Sequence, residues 1–190
     1  MKRFLIPLII VLMIAMVPVS FAATKRYKLK VTSTAFKHNQ FIPVKYAMTP
    51  DVPGGENCSI PLKWEVPKEA KGKIKSFALS MVDPHKVANN WVHWLVVDIP
   101  SNEIELKECA SGSSMPHEAF PLQNSYEEIG YGGPAAPPGT GVHPYHITIY
   151  GLSVRSFDLS KRELTLKQFQ KLLKGKTVAQ GKIIGKFKQD

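Results

Sequence analysis

The chain has only two cysteines in 190 residues, Cys58 and Cys109. That is too few for a cysteine-built zinc site or a disulfide-dense scaffold. It has no internal repeat and no linker of the length or polarity that separates domains, which leaves one folding unit. Gly-x-x-x-x-Gly-Lys-Ser/Thr is missing, as is a dinucleotide-type glycine loop after a strand. No His-Glu-x-x-His helix occurs, and no serine or cysteine sits in a nucleophile-elbow pattern. The common signs of nucleotide, metalloprotease and acyl-transfer chemistry are therefore absent; an enzyme is not expected, nor a cofactor or metal. Acidic residues are also scarce, 15 against 25 Lys+Arg, for a net charge of +10. A 44% hydrophobic content still supplies a core and excludes a disordered or collagen-like chain.

Long apolar runs are scarce as well. The one that stands out, Phe4 to Val17, has 14 residues without a charge, short of the ~20 a spanning helix needs. Lys2 and Arg3 precede it, Pro18 follows, and Ser20-Phe21-Ala22 puts small residues at the −3 and −1 positions of a cleavage site. Residues 1–22 thus read as a cleavable secretory signal peptide, and residues 23–190 as a single periplasmic or secreted domain. An uncleaved anchor is the alternative; no cysteine follows the run, so a lipoprotein is not indicated. Export favours a disulfide between Cys58 and Cys109, because the compartment is oxidising. Two buried free thiols are the alternative.

The basic excess is local. Residues 23–160 carry 14 basic and 13 acidic side chains, whereas residues 161–190 carry 9 and 2. This last segment contains a helix pattern: Thr165 with Gln168 makes a capping box, Leu166, Phe169, Leu172 and Leu173 form an apolar stripe, and Gly175 can close the end. Such a basic amphipathic segment is either a surface helix with solvated lysines, the simpler reading, or a contact for anionic lipid. Nucleic acid is not an expected partner, since no exposed-looking aromatics interleave with the lysines.

Elsewhere the chain reads as strands and turns. Tyr27, Leu29 and Val31 alternate with polar residues, and Ser76 to Val82, Trp94 to Ile99, His146 to Leu152 and Lys182 to Lys188 are β-rich runs. Pro/Gly-rich loops separate them at Thr49 to Gly55, Asp83 to Asn90 and Gly130 to Pro144. Titratable and aromatic residues flank the strand ends: Asp83, Trp91, His93, and the pair His143 and Tyr145, whose i, i+2 spacing puts them on one face with His146 opposite. Taken singly, each histidine is more often structural than a ligand contact. His38, His85 and His117 read as exposed loop residues, and Trp64 and Trp94 as core.

Several of these segments, in order, resemble the phosphatidylethanolamine-binding protein family, in its bacterial Raf-kinase-inhibitor-like branch. They are Asn57-Cys58-Ser59-Ile60-Pro61-Leu62-Lys63-Trp64, Lys75-Ser76-Phe77-Ala78-Leu79, Asp83-Pro84, His93-Trp94-Leu95-Val96-Val97-Asp98-Ile99-Pro100, and the Gly130-Tyr131-Gly132-Gly133-Pro134 loop running on to His143 and Tyr145. The resemblance implies a mainly β fold, a compact β-sandwich with a large central antiparallel sheet, a smaller sheet and peripheral helices. It also implies a small pocket for phosphate-like anions at one end of the sheet. Asp83, Trp91, His93, His143 and Tyr145 would line that pocket, with Gly132, Gly133 and Pro137 shaping its loop. Imidazoles, a phenol and glycine N–H groups would donate to the anion, and Asp83 would orient a histidine.

The chain departs from the family pattern in Asp83-Pro84-His85-Lys86-Val87, where His85 stands in place of a second carboxylate and Val87 in place of a proline. It departs again at Ala135-Ala136 and at Pro144. The implied function is an exported, non-enzymatic binder of a small anion, a phospholipid headgroup or a phosphorylated ligand. The alternative is an inhibitor or regulator of an extracytoplasmic protein, such as a protease, acting through the same pocket. Either way, affinity is expected to rise as pH falls through ~6.5 if both histidines meet the anion.

The signal-peptide reading has a direct check. The exported protein should begin at Ala23 by intact mass and N-terminal sequencing; a chain retaining Phe4 to Val17 would make the run an anchor.

Overall fold

The structure is a computed structural model and describes residues 26–190; the signal-peptide segment lies outside them. Nine strands form two sheets. The larger contains β1 (Tyr27–Lys28), β4 (Ser76–Asp83), β5 (Trp91–Pro100), β7 (Phe120–Pro121), β8 (His143–Leu152) and β9 (Thr177–Phe187), in the order β1-β9-β8-β4-β5-β7. The smaller orders β2 (Lys30–Thr32), β3 (Leu62–Glu65) and β6 (Glu105–Leu106) as β2-β3-β6. One α-helix, α1 (Leu166–Leu173), and two 3-10 turns complete it.

The β-sandwich expectation holds, with one correction. The large sheet is mixed, because β1 runs parallel to β9 while its other pairings are antiparallel. The alternating segment Tyr27 to Val31 does not form one strand. It splits at buried Leu29, so that Tyr27–Lys28 joins the large sheet and Lys30–Thr32 the small one. The crossing is tight: a Cβ on Gly181 of β9 would lie 2.3 Å from the Leu29 carbonyl oxygen, so only glycine fits there.

The central strands are buried on both faces, which is why they read as apolar runs rather than clean alternation. On one face Phe77, Leu79, Met81, Trp94, Val96, Tyr145, Ile147 and Ile149 pack against Trp64 of the small sheet, whose ring meets Phe77 edge-on at 5.3 Å. On the other, Ala78, Leu95, Val97 and Leu152 are covered by Phe169 and Leu173 of α1. The capping box is present as read, with Thr165 Oγ1 accepting from Gln168 N and Gln168 Oε1 accepting from Thr165 N. Gly175, at φ +77°, adopts the left-handed conformation just past the helix. Strands run longer than the sequence runs. β5 begins at Trp91 and β9 at Thr177, because ladder pairing with β4 and β8 carries them beyond those runs.

Cys58 and Cys109 form a disulfide with a Cα–Cα distance of 4.5 Å and a sequence separation of 51. It ties the segment before β3 to the loop after β6, beside a backbone bond from Cys109 N to Ser59 O. A loop of that length confers about 4 kcal/mol in the chain-entropy picture. Cys58→Ser/Cys109→Ser should therefore lose roughly that much stability in urea unfolding, and the unreduced native sequence should show no free thiol on denaturation.

Candidate functional site

The ladder registers gather the candidate residues. β4 ends at Asp83, opposite Trp91 at the start of β5, and the turn between them returns the chain so that His93 follows two residues on. β8 runs antiparallel to β4 and begins at His143, paired with Phe187 at the end of β9. Three strand ends therefore meet at one end of the large sheet. A cavity of about 400 Å³ opens there, walled by Asp83, Trp91, His93, Pro137 and Tyr145 together with Asp51 and Tyr126.

Asp83 is buried, and both its oxygens are occupied. Oδ1 accepts from the His85 backbone N–H at 2.9 Å, and Oδ2 lies 2.6 Å from His143 Nδ1. Thr140 Oγ1 donates its single hydrogen to Pro137 O at 2.6 Å, so it accepts from His143 Nε2 at 2.9 Å. Nε2 carries hydrogen, and one further proton sits between Nδ1 and Oδ2. The buried Asp83–His143 pair is neutral as a unit, which weakens the field that Asp83 directs at an incoming anion. The Thr140–His143–Asp83 line has the outline of a catalytic triad with its polarity reversed, since the hydroxyl hydrogen points to Pro137 and not to the imidazole.

His93 has the opposite arrangement. Its Nδ1–H donates to the Gly132 and Gly133 carbonyls at 2.8 and 3.1 Å, which leaves Nε2 as a hydrogen-bond acceptor. Burial pushes its pKa down to about 4, against smaller opposing contributions from those carbonyls and Asp83. The ring stays neutral through the physiological range, because desolvation takes its titration below the ~6.5 of a free imidazole. Edge-to-face contact with Tyr145 at 5.0 Å fixes its plane.

The Tyr145 hydroxyl is buried and has no hydrogen-bond partner among the described residues. The Ala135 backbone amide faces it outside hydrogen-bond geometry. Burial first, then Asp83, raises its pKa, so it remains a donor. Tyr126 is likewise raised by burial and then by Asp51; its hydroxyl donates to Gly133 O at 3.1 Å, and its ring meets Trp91 edge-on at 5.3 Å.

Three expectations change. His143 is fully buried behind Asp83 and supports the wall instead of lining it. Gly132 and Gly133 do not offer N–H groups to the cavity: Gly132 N donates to His93 O at 2.8 Å and Gly133 N to Asn57 Oδ1 at 2.7 Å. A Cβ on Gly133 would lie 2.3 Å from Tyr46 O, so glycine is there for close packing of the loop. His85 is half-buried, not exposed, and stacks on His143 with centroids 3.8 Å apart. Sequence reasoning missed Asp51 and Tyr126. Asp51 had a signal as the carboxylate inside the Thr49 to Gly55 loop. Tyr126 follows an Asn124 turn whose Oδ1 accepts from Tyr126 N at 2.8 Å, and nothing in the sequence ties that turn to the cavity. No lysine or arginine lines the cavity among the described residues.

The architecture and cavity define a two-sheet β protein with one polar and aromatic pocket at a convergence of strand ends. A model described as phosphatidylethanolamine-binding protein matches residues 32–188, and the chain belongs to that family. It is 35% identical over 168 residues to a UPF0098 protein of Aquifex aeolicus, covering 85% of this chain and 90% of that one. Among solved structures, CT736 of Chlamydia trachomatis, described as a putative homologue of the family, superposes with a TM-score of 0.70 at 28% identity, over 86% of this chain and 99% of that one. YbcL of E. coli has the same fold, with a TM-score of 0.77 at 24% identity, over 85% and 99%.

Lowering the His93 pKa links the site to stability. Its contribution is full above about pH 6.5 and is lost as pH falls toward 4, by up to about 3 kcal/mol. Urea unfolding at pH 7 and 4.5 should show a smaller acid loss in His93→Gln than in the native sequence, and ring NMR should find His93 neutral at pH 5.

Proposed function

We propose that the protein is an extracytoplasmic, non-enzymatic binding protein whose cavity takes the phosphate-type headgroup of a small ligand. One observation carries the reading: the buried, unpartnered Tyr145 hydroxyl in the cavity wall, a donor whose desolvation a ligand oxygen accepting from it would offset. Two features around it support the same ligand. Asp83 is paired with His143, so it repels an anion less than a lone carboxylate would. His93 offers an acceptor, which suits a singly protonated phosphate able to donate its P–OH to Nε2 while another oxygen accepts from Tyr145.

The remaining wall refines the chemistry. With no cation present, the cavity does not hold a bare dianion well. Asp51, beside the Trp91 and Tyr126 rings, suits an ammonium group carried near the phosphate. Phosphoethanolamine combines both ends, and as a monoester it keeps the P–OH that the diester of phosphatidylethanolamine lacks. Trp91, 38% exposed at the mouth, gives an apolar wall for what the headgroup is attached to. Export rests on the N-terminal sequence and is consistent with the disulfide.

Titration with phosphoethanolamine, inorganic phosphate and sulfate, followed by the ring signals of His93, tests the reading. Phosphoethanolamine should bind saturably, and Tyr145→Phe should weaken it by about 10-fold or more, the cost of a hydrogen bond to a charged group. Affinity should rise as pH falls through the second ionisation of the phosphate, near ~6, and sulfate should show no such dependence. Undiminished affinity in Tyr145→Phe would place the ligand elsewhere.

A further inference from the structure

A second concave surface lies between α1 and the edge of the large sheet. It is a groove of about 610 Å³ whose charged lining is Arg26, Lys167, Lys171 and Lys174, with Tyr150 and Leu173 among its other walls. No carboxylate lines it, all four cations are exposed, and none takes part in an ion pair among the described residues. Lys167 and Lys171 sit at i and i+4 of the helix, on the side away from buried Phe169, and Lys174 is its C-cap.

Helix stability explains only part of this cluster. Lys171 and Lys174 lie at the C-terminal end, where the helix dipole favours a cation. Lys167 lies in the first turn, where the dipole disfavours one, and it repels Lys171 one turn on. Arg26 comes from the opposite end of the chain to complete the set. Lys176, the other lysine of this region, is turned away, with its Nζ donating to Leu172 O and lying over the Phe157 ring. Three of the nine basic residues of segment 161–190 thus line the groove, and Arg26 joins them.

We propose that this groove is a docking surface for an anionic lipid bilayer. Four uncompensated cations on one exposed surface complement a negatively charged leaflet. The course of the chain favours a bilayer over other polyanions: eight residues separate Val17, the end of the uncharged run, from Arg26 in the groove. At full extension that is about 30 Å. Until the run is cleaved from the exported domain, that tether keeps the groove within reach of the membrane surface. The inference is independent of the cavity, and its failure leaves the headgroup reading untouched.

The test is co-sedimentation of the exported protein with vesicles of phosphatidylcholine alone and with phosphatidylglycerol added, at low and physiological salt. Binding should require the anionic lipid and weaken with salt. Lys167→Gln/Lys171→Gln/Lys174→Gln should reduce partitioning about 100-fold, roughly fivefold per charge. Lys37→Gln/Lys71→Gln/Lys107→Gln removes the same net charge from exposed sites elsewhere and should change it little; circular dichroism confirms that both variants fold. Equal losses in the two variants would reduce the effect to net charge and overturn the proposal. So would indifference to phosphatidylglycerol, or binding of soluble polyphosphate without binding of vesicles.

Discussion

The site depends on the buried hydrogen bond between Asp83 and His143. These residues close two neighbouring strands of the large sheet, so one 2.6 Å contact pins the ends of β4 and β8 together. It also settles the electrostatics of the cavity. A lone carboxylate at the end of β4 would repel anions and bear a heavy desolvation cost; sharing a proton with His143, it does both less. Thr140 and His85 complete the arrangement, one accepting from Nε2 and the other covering the ring.

A second network fixes the loop opposite. Gly132 and Gly133 receive His93, Gly133 N donates to Asn57, and Tyr131 reaches Ser111 through its N–H and the Tyr46 carbonyl through its hydroxyl. Asn57 adjoins Cys58, and Ser111 lies two residues past Cys109, so the disulfide clamps the two segments that hold the glycine loop. A distant covalent link thus bears on the tautomer of His93, because the carbonyls that take its Nδ1–H are positioned by that loop. Burial does the rest by keeping the ring neutral. The two histidines of the site consequently play different parts: one is held as an acceptor facing the ligand space, and the other is a structural partner sharing a proton with a carboxylate.

Much of this was legible in advance. The helix at Leu166–Leu173 with its capping box, the i, i+2 sharing of a face by His143 and Tyr145, and the core positions of Trp64 and Trp94 all follow from local periodicity and local hydrogen-bonding chemistry. Asp83, Trp91, His93, Pro137 and Tyr145 were selected through the ordered family motifs, and all five border the cavity. Not legible were Asp51 and Tyr126, which reach the cavity from loops with no periodic signal. The withdrawal of His143 from the lining was hidden too, since alternation along a strand says which face a residue occupies and not what stands in front of it.

The amino-acid sequence alone determined the class of fold, the place of the one helix and the choice of residue types around the site. The strand runs and the helix are set by patterns of two to four residues, while the sandwich and the residues around the site were carried by the ordered family motifs. Tertiary structure decided the parallel pairing of β1 with β9, the proton arrangement of the two histidines and the pairing of Asp83 with His143. It also decided the company that Arg26 keeps with three helix lysines. Each of these depends on contacts between residues about 40 to 150 positions apart and on how far each group is removed from water, and neither quantity is written in any short stretch of chain.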